Sequence, residues 1–275
     1  MSAPATAGMP ASLTLAGAGK MGGAMLAGWI EAGLDPRATA VVDPSPSPEI
    51  AALCAARGIR LNPEAPEPAA VLVLAIKPQG LEAAARALDR MIGDDTLVVS
   101  ILAGKTVADL TARLPRARAV VRAMPNLPAS IGRGATGAFA APGVSAGQRA
   151  VADALLAATG TVAWLDAEAA VDAVTAVSGS GPAYVFLLAE TLAEAGIAAG
   201  LAPEVARALA RATVSGAGAL LDASEAEPDA LRRAVTSPGG TTAAALDVLM
   251  RGDGLAPLMR EAVAAAQRRA AELAG

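Results

Sequence analysis

Residues 13–22 read LTLAGAGKMG, and this stretch decides the fold. A short apolar run leads directly into the pattern G-x-G-x-x-G, whose glycines are Gly17, Gly19 and Gly22, and a helix-like run follows. In that context the first glycine permits a tight turn, the second lets a pyrophosphate approach the backbone, and the third lets the helix pack against the strand. The alternative is a glycine-rich turn in a chain rich in alanine and glycine. We predict a dinucleotide-binding loop formed by Gly17, Ala18, Gly19, Lys20, Met21 and Gly22.

Short valine-rich runs alternate with alanine-rich helical runs from Ser12 to Leu165. The predicted strands are Ser12–Ala16, Ala38–Asp43, Ala70–Ile76, Thr96–Ile101 and Arg118–Ala123. The predicted helices lie near residues 20–33, 47–57, 79–91 and 106–113. Because strands and helices alternate, the sequence predicts an α/β domain with a doubly wound parallel sheet.

The chain changes character after Leu165, where it becomes almost wholly helix-like. We therefore predict two domains, residues 1–165 and residues 166–275. Residues 1–165 carry 14 basic and 12 acidic side chains, whereas residues 166–275 carry 8 and 14, so the domains have net charges of +2 and −6. A slightly cationic first domain fits a phosphate-bearing ligand. The alanine richness of the chain favours helices that pack closely against other helices, including those of another subunit.

Composition excludes several classes of function. The 275-residue chain is 54% hydrophobic with a net charge of −4, so nucleic acid is not an expected partner. It contains no histidine, which excludes a Ser-His-Asp triad and a histidine-liganded metal, and no metal site is predicted. Cys54 is the single cysteine, so no disulfide forms within the chain.

Residues 1–19 lack the basic segment of a signal peptide, and Ser178-Gly-Ser-Gly-Pro182 interrupts the longest apolar stretch. We expect a cytoplasmic protein that does not enter a membrane.

The second predicted strand ends at Asp43, 21 residues after Gly22, where such folds place the residue that contacts the adenosine ribose. A carboxylate at that point accepts a hydrogen bond from the 2′-hydroxyl of NAD and repels the 2′-phosphate of NADP. The next arginine is Arg57, although Ser45 and Ser47 offer hydroxyl groups to a phosphate. These residues favour NADH over NADPH. The alternative is that Asp43 only opens an Asp-Pro turn.

Two more polar residues follow predicted strands. Lys77, in Ala-Ile-Lys-Pro-Gln, comes at the carboxyl end of a buried strand, where ligands bind in open α/β sheets. It is either a ligand contact or a loop lysine that reaches solvent. Asn126, in Met-Pro-Asn-Leu-Pro, carries an amide that suits a nicotinamide carboxamide or, alternatively, satisfies backbone groups of its own loop. Spacing alone leaves both pairs of alternatives open.

Two glycine-rich segments interrupt the helical half. The first, from Ser178 to Pro182, is either a helix break, which its composition favours, or a surface that faces the cofactor. The second, Thr236 to Thr242, reads TSPGGTT and presents consecutive N–H groups and hydroxyls at the start of a helix. It is either a site for a small carboxylate or a capped helix start without a ligand.

The motifs GAGKMG, AIKPQ, MPNLP, AVSGSGPAYVF and TSPGGTT, in this order and spacing, resemble those of the pyrroline-5-carboxylate reductase family. The resemblance extends from about Leu13 to Leu273. Its two C-terminal motifs make it specific, because many dehydrogenases share the N-terminal one. It implies a Rossmann-type N-terminal domain and an all-α C-terminal dimerisation domain. The implied reaction reduces the C=N bond of 1-pyrroline-5-carboxylate to give L-proline, the last step of proline biosynthesis, with NADPH or NADH.

The resemblance also implies roles for individual residues. Cofactor contacts fall on the glycine loop and on Lys77, Asn126, Ser178 and Gly179. The substrate loop begins at Ser237, and the substrate carboxylate is held there by the backbone N–H groups of Gly239, Gly240 and Thr241. The catalytic positions are Thr242, whose hydroxyl lies near the ring nitrogen, and Glu225, an acidic position near the substrate. Family members form homodimers through interlocked C-terminal helices, often assembled into rings of dimers. Asp43 differs from the small polar or basic residues of many relatives, which argues against their usual NADPH preference.

The lack of histidine agrees with an imine substrate. Reduction of a carbonyl builds alkoxide-like charge, and dehydrogenases of hydroxy acids commonly supply a histidine or lysine as proton donor. The second predicted domain has neither residue. A cyclic imine nitrogen can already carry the proton, so a weak donor such as Thr242 suffices, and Glu225 stabilises the cation. The alternatives are a reductase of another cyclic imine, a hydroxy acid dehydrogenase of similar architecture, and a dinucleotide-binding sensor without turnover.

Overall fold

A single mixed sheet forms the centre of the N-terminal part of the protein. The computed structural model describes residues 8–274. Its strands are β1 (Leu13–Ala16), β2 (Thr39–Val42), β3 (Arg60–Leu61), β4 (Val71–Leu74), β5 (Leu97–Ser100), β6 (Ala119–Met124), β7 (Gly134–Ala140) and β8 (Gly160–Trp164). They lie in the order β3-β2-β1-β4-β5-β6-β7-β8. Neighbouring strands are parallel except for β6 and β7, which are antiparallel. The predicted doubly wound α/β sheet is confirmed.

Helices cover the sheet and then make up the C-terminal part. They are α1 (Lys20–Glu31), α2 (Pro48–Arg57), α3 (Leu81–Asp89), α4 (Val107–Arg113), α5 (Ala146–Ala157), α6 (Ala170–Val174), α7 (Gly181–Ala198), α8 (Pro203–Ala223), α9 (Pro228–Ala234), α10 (Thr241–Leu249) and α11 (Leu255–Ala274). The four helices predicted before residue 114 are present as α1 to α4. The specific predictions did not include β3, β7, β8 and α5. Strand β7 reads GATGAFA, which lacks the β-branched and aromatic density that marks a strand in sequence.

The strands are buried on both faces, as a parallel sheet covered by helices requires. Leu13 and Leu15 of β1 pack on one face in a cluster with Trp29 of α1, whereas Leu72 and Leu74 of β4 pack on the opposite face with Leu81 of α3 and others. Trp29 also donates a hydrogen bond from Nε1 to the carbonyl oxygen of Leu155, at 2.7 Å, which attaches α1 to α5. Cys54 lies in the first cluster, and burial raises the pKa of its thiol, as expected for an unreactive core residue.

Strand β1 is the point where the chain reverses its direction of winding, because β2 lies on one side of it and β4 on the other. The loops that follow β1 and β4 meet at the carboxyl edge of the sheet: a Cβ atom built on Gly17 would lie 2.7 Å from the backbone of Ala75. Open α/β sheets bind their ligands at such a switch point. The fold therefore brings the glycine loop and the Lys77 segment to the same edge.

The chain divides into two compact units between Gly179 and Ser180, with the residues from Ala266 onward grouped with the first. Helix α6 and the π-helical turn Thr175–Gly179 belong to the first unit. Val171 and Ala176 are buried there, and Val174 packs so closely on Gly137 of β7 that a Cβ at that glycine would lie 2.6 Å away. The boundary between the compact units thus comes later in the chain than residue 165. The division into functional domains at residue 165 stays a prediction.

The second unit is a set of helices that bury little within one chain. Its described buried hydrophobic residues are Ala193, Ala206 and Ala210, all small. Its larger apolar side chains are exposed, including Phe186 at 61% and Leu188 at 52%. One stretch, Ala170–Ala198, is long and apolar enough to cross a membrane by length and composition alone, but it contains the π-helical turn. The exposed apolar faces indicate a surface that another chain covers.

Candidate active site

The three glycines of the loop after β1 have the environments that a dinucleotide loop requires. Gly17 has a φ of +90°, a conformation that side chains rarely adopt, and it contacts the backbone of Ala75. A Cβ on Gly22 would overlap the carbonyl oxygen of Gly17. Around Gly19, by contrast, nothing lies within 4 Å of a built Cβ. The loop therefore closes tightly at its ends and leaves room for a phosphate at its centre.

The first turn of α1 completes this cradle. Gly19 is the N-cap of α1 and no side chain caps it, so backbone N–H groups of the first turn stay available to an anion. Lys20 is exposed at the first position, Met21 packs partly against the core, and Ala18 is buried. Helix α2, by contrast, is capped by Ser47, which accepts from the N–H of Ile50 at 3.3 Å. The open space at Gly19 and the uncapped helix fit the pyrophosphate of a dinucleotide.

Asp43 connects the glycine loop to the turn after β2. Its Oδ2 accepts from the backbone N–H of Ala18 at 2.7 Å, and its Oδ1 accepts from the N–H of Ser45 at 2.8 Å. Each carboxylate oxygen keeps a further lone pair for a ribose hydroxyl. The side chain thus opens the Asp-Pro turn and also lies against the cofactor loop. Its selection of NADH stays a prediction, as do the contacts of Ser45.

Lys77 follows β4 on the loop that meets Gly17. It is the N-cap residue of a short 3₁₀ turn, Pro78–Gly80, and its carbonyl oxygen accepts from the N–H of Gly80 at 2.8 Å. Its side chain is exposed and makes no hydrogen bond or ion pair within the part of the chain that the structure describes. The ammonium group is therefore available to a ligand at this edge of the sheet.

Asn126 lies at the end of β6 and is only 8% exposed. Its Nδ2 donates to the carbonyl oxygen of Ser178 at 3.0 Å, and its Oδ1 accepts from the N–H of Ala135 at 2.8 Å. Both partners are backbone groups, as in the alternative that the Asn126 amide satisfies the backbone rather than a ligand. They also bring Asn126 and Ser178 together, and Gly179 lies beside Met124, the last residue of β6. The second Nδ2 hydrogen remains for a ligand, and the nicotinamide contact stays a prediction.

The segment Ser178 to Pro182 contains the end of a π-helical turn and an interruption at Ser180, which is the N-cap of the separate helix α7. The turn, Thr175–Gly179, follows directly on α6. The hydroxyl groups of Thr175 and Ser178 donate back to the carbonyl oxygens of Val171 and Val174, at 2.9 and 3.2 Å. These bonds satisfy carbonyl groups of the widened turn, which carries the helical backbone as far as Gly179. Single π-helical turns are frequent at functional sites.

The loop Ser237 to Thr242 leads into α10 in the second unit. Gly239 has a φ of +68°, and the N–H of Gly240 donates to the carbonyl oxygen of Ser237 at 3.0 Å, which closes a turn. Gly240 is the N-cap of α10 and no side chain caps it. Among the described residues, the N–H groups of Gly239 and Thr241 and the hydroxyl of Thr242 have no partner. The loop thus offers donors to an anion, whereas the N–H of Gly240 is already bonded.

Glu225 lies in the loop between α8 and α9 and is exposed. No hydrogen bond or ion pair joins it to the Ser237 to Thr242 loop in the described chain. Its role near the substrate stays a prediction. Among the described residues, no group of three or more histidine, cysteine, aspartate or glutamate side chains could hold a metal ion.

Two arrangements were not predicted. Asn62, at the end of β3, makes hydrogen bonds to the backbone of Asp43 on both sides. Glu168, in the segment before α6, accepts from the buried Arg122 of β6 and from the N–H of Val107 in α4, both at 2.7 Å. It therefore connects that segment to the sheet and to α4. A buried arginine needs a partner, but nothing in the sequence identifies a glutamate 46 residues away.

Comparison with known proteins agrees with this geometry. Residues 168–273 match the family model described as pyrroline-5-carboxylate reductase dimerisation. Residues 12–104 match the model described as NADP oxidoreductase, coenzyme F420-dependent. A pyrroline-5-carboxylate reductase from Pseudomonas aeruginosa is 43% identical over 260 residues, which cover 94% of this chain and 95% of that protein.

Solved structures give the same result for the fold. The structure of a pyrroline-5-carboxylate reductase from Coxiella burnetii has a TM-score of 0.89 and 36% identity, and the match covers 97% of this chain and 99% of that one. A pyrroline carboxylate reductase from Plasmodium falciparum, solved with NADP bound, has a TM-score of 0.81 at 24% identity and covers 98% of this chain and 100% of that one. The chain therefore belongs to the pyrroline-5-carboxylate reductase family.

Proposed function

We propose that this protein reduces the C=N bond of 1-pyrroline-5-carboxylate to give L-proline, the last step of proline biosynthesis, as an NAD(P)H-dependent oxidoreductase. The observation that carries the proposal is the Ser237 to Thr242 loop, since a dinucleotide loop alone is shared by many dehydrogenases. That loop combines free backbone N–H groups, an uncapped helix start and an unpartnered threonine hydroxyl. Backbone N–H groups suit a small carboxylate, and a hydroxyl oxygen can accept from the N–H of an iminium ring.

The first domain, residues 1–165, provides most of the cofactor contacts. NADPH or NADH supplies the hydride when bound. Gly19 and the first turn of α1 receive the pyrophosphate, with Lys20 as a nearby cation, and Lys77 and Asn126 lie on the nicotinamide side together with Ser178 and Gly179. Asp43 directs the preference toward NADH, because its carboxylate repels a 2′-phosphate. The carboxyl edge of β1 and β4, where the strand order reverses, supports this assignment.

The residues of the second domain, 166–275, bind the substrate. Gly239 and Thr241 hold the substrate carboxylate with their N–H groups, in the loop that starts at Ser237, and Gly240 adds its N–H if the turn to Ser237 opens. Thr242 orients the ring nitrogen through its hydroxyl. Because an iminium nitrogen already carries its proton, hydride addition leaves a neutral amine and no strong side-chain acid is needed.

Glu225 contributes charge rather than proton transfer in this proposal. A carboxylate near a cationic iminium stabilises it, and the effect grows where water is excluded. The support is chemical, since Glu225 makes no ion pair among the described residues that would neutralise it.

The protein forms a homo-oligomer through its C-terminal helices, as the matched dimerisation model and the exposed apolar residues of α7 support. We propose further that dimers assemble into a ring and that the enzyme works in the cytoplasm, without nucleic acid or membrane as partner. Light scattering coupled to size-exclusion chromatography tests the assembly: the mass of a single dimer contradicts the ring, and the mass of several dimers supports it.

A coupled assay tests the reaction. Purified protein is mixed with 1-pyrroline-5-carboxylate, and the loss of reduced nicotinamide is followed by absorbance, once with NADH and once with NADPH. Oxidation that depends on the imine, with formation of proline, is expected. Absence of imine-dependent oxidation with both cofactors contradicts the proposal. A 2-oxo acid serves as the matched control substrate, since its reduction would point to a hydroxy acid dehydrogenase instead.

A further inference from the structure

Asn62 has a left-handed backbone conformation, which is uncommon for a residue other than glycine. Its φ is +48°, and it is the one non-glycine residue with a positive φ in the part of the chain that the structure describes. Asparagine tolerates this left-handed region better than most residues, but it is still uncommon. The conformation lies directly after β3, where the N–H of Asn62 donates to the carbonyl oxygen of Val41 at 2.7 Å.

The side-chain amide of Asn62 holds the backbone of Asp43 from both sides. Its Oδ1 accepts from the N–H of Asp43 at 2.8 Å, and its Nδ2 donates to the carbonyl oxygen of Asp43 at 2.8 Å. The peptide groups before and after Asp43 are therefore both fixed by one side chain. Since β3 has only two residues, this pair extends the contact between β3 and β2 past the end of the regular sheet.

The side chain of Asp43 is in turn hydrogen-bonded to the glycine loop. Its Oδ2 accepts from the N–H of Ala18, between Gly17 and Gly19, at 2.7 Å. A continuous series of hydrogen bonds thus runs from Asn62 through Asp43 to the glycine loop. Beyond Asp43 the chain reads Pro-Ser-Pro-Ser-Pro and is mostly exposed, and the N–H of Ser45 donates to Oδ1 of Asp43 within this turn.

We propose that Asn62 is a positioning residue for the dinucleotide site, which holds the Asp43 carboxylate against Ala18 and thereby sets the preference between NADH and NADPH. The inference rests on the proposed function in taking the glycine loop as a dinucleotide site and Asp43 as the residue that selects NADH. Asn62 acts through Asp43. When the amide is removed, the carboxylate moves away from the ribose position, which weakens NADH binding and relieves the repulsion of the 2′-phosphate.

The test uses Asn62→Gly in the full-length protein. Glycine adopts the same left-handed backbone without steric cost, so this variant removes the amide and leaves the turn geometry accessible. Dissociation constants for NADH and NADPH are measured by fluorescence titration at one salt concentration, without substrate. Because Asn62 acts only through Asp43, its loss should have a smaller effect than the loss of Asp43 itself: we expect the dissociation constant for NADH to rise about threefold, and that for NADPH to rise less or to fall. The KM for NADH rises with it, and the KM for the imine does not.

Asp35→Ala is the matched control. Asp35 caps the short 3₁₀ turn before the same strand β2, where it accepts from the N–H of Arg37 at 2.9 Å, at the end away from the glycine loop. This variant loses a cap without touching Asp43, so its ratio of the two dissociation constants stays at the wild-type value. If Asn62→Gly also leaves that ratio unchanged and only lowers the melting temperature, Asn62 is merely structural and the proposal is overturned.

Asn62→Ala separates the amide from the backbone. If the amide is responsible, alanine and glycine shift the ratio alike, although alanine is less stable in the left-handed region. A shift with alanine alone assigns the effect to backbone strain and contradicts the proposal. Because the titrations need no imine, an enzyme inactive toward 1-pyrroline-5-carboxylate contradicts the proposed function while leaving this measurement intact.

Discussion

Two loops lead into helices whose N-cap residue is a glycine, Gly19 before α1 and Gly240 before α10. They differ in how far the packing of a single chain holds them in place. The loop before α1 is surrounded by buried strands, and its backbone is bonded to Asp43 and Val42. The loop before α10 is largely exposed, and its unit buries only small alanines among its described residues. A single chain thus fixes the proposed cofactor loop by its own packing, whereas the proposed substrate loop lies in the region that matches a dimerisation model and exposes its apolar side chains.

The largest effect is expected where the cofactor loop is packed most tightly. Gly22→Ala places a Cβ against the carbonyl oxygen of Gly17, which forces the loop open or prevents α1 from approaching it. We expect NADH and NADPH to bind roughly a hundredfold more weakly. Gly147→Ala in α5 is the control, because no atom lies within 4 Å of its built Cβ and its binding should equal wild type. Equal binding by both variants would show that the loop is not closely packed.

A smaller effect is expected in the exposed loop, where one hydroxyl carries the proposed chemistry. Thr242→Ala removes the unpartnered hydroxyl, whose oxygen accepts from the iminium N–H in the proposed complex, so turnover should fall roughly thirtyfold, as for loss of a hydrogen bond to a charged group. The dissociation constant for the cofactor should stay at the wild-type value. Thr242→Ser keeps the hydroxyl and should keep most of the turnover. Steady-state kinetics and cofactor titration of both variants measure this, and unchanged turnover in Thr242→Ala removes Thr242 from the mechanism.

The smallest effect is expected at the edge of the cofactor loop. Asp43→Ser removes the charge that disfavours a 2′-phosphate but also the bond to Ala18. We expect the ratio of kcat/KM with NADPH to that with NADH to rise about fivefold. Asp35→Ala, an exposed acidic residue at the other end of β2, controls for the loss of one negative charge. A ratio that does not move makes Asp43 a turn residue only.

Most of the strands and the glycine loop could be predicted from sequence, because short apolar runs and glycine motifs are local patterns. The strands β1, β2, β4, β5 and β6 were predicted close to their observed bounds because each is a continuous apolar run between turn signals. Strand β7 was not, because its small residues form a strand only where β6 and β8 pair with it. The π-helical turn was likewise missed, because its hydroxyl bonds become visible only once the helix is formed.

The sequence by itself determined which groups are available for chemistry: it lacks histidine and carries the glycine loop and the TSPGGTT segment, which favour a reaction that needs little proton donation. Tertiary structure decided which polar groups meet. Asn62 reaches Asp43 across 19 residues, Asp43 reaches Ala18 across 25, and Asn126 reaches Ser178 across 52. Such pairs depend on strand order and on where each turn ends, and these follow from packing of the whole sheet rather than from any local run of residues.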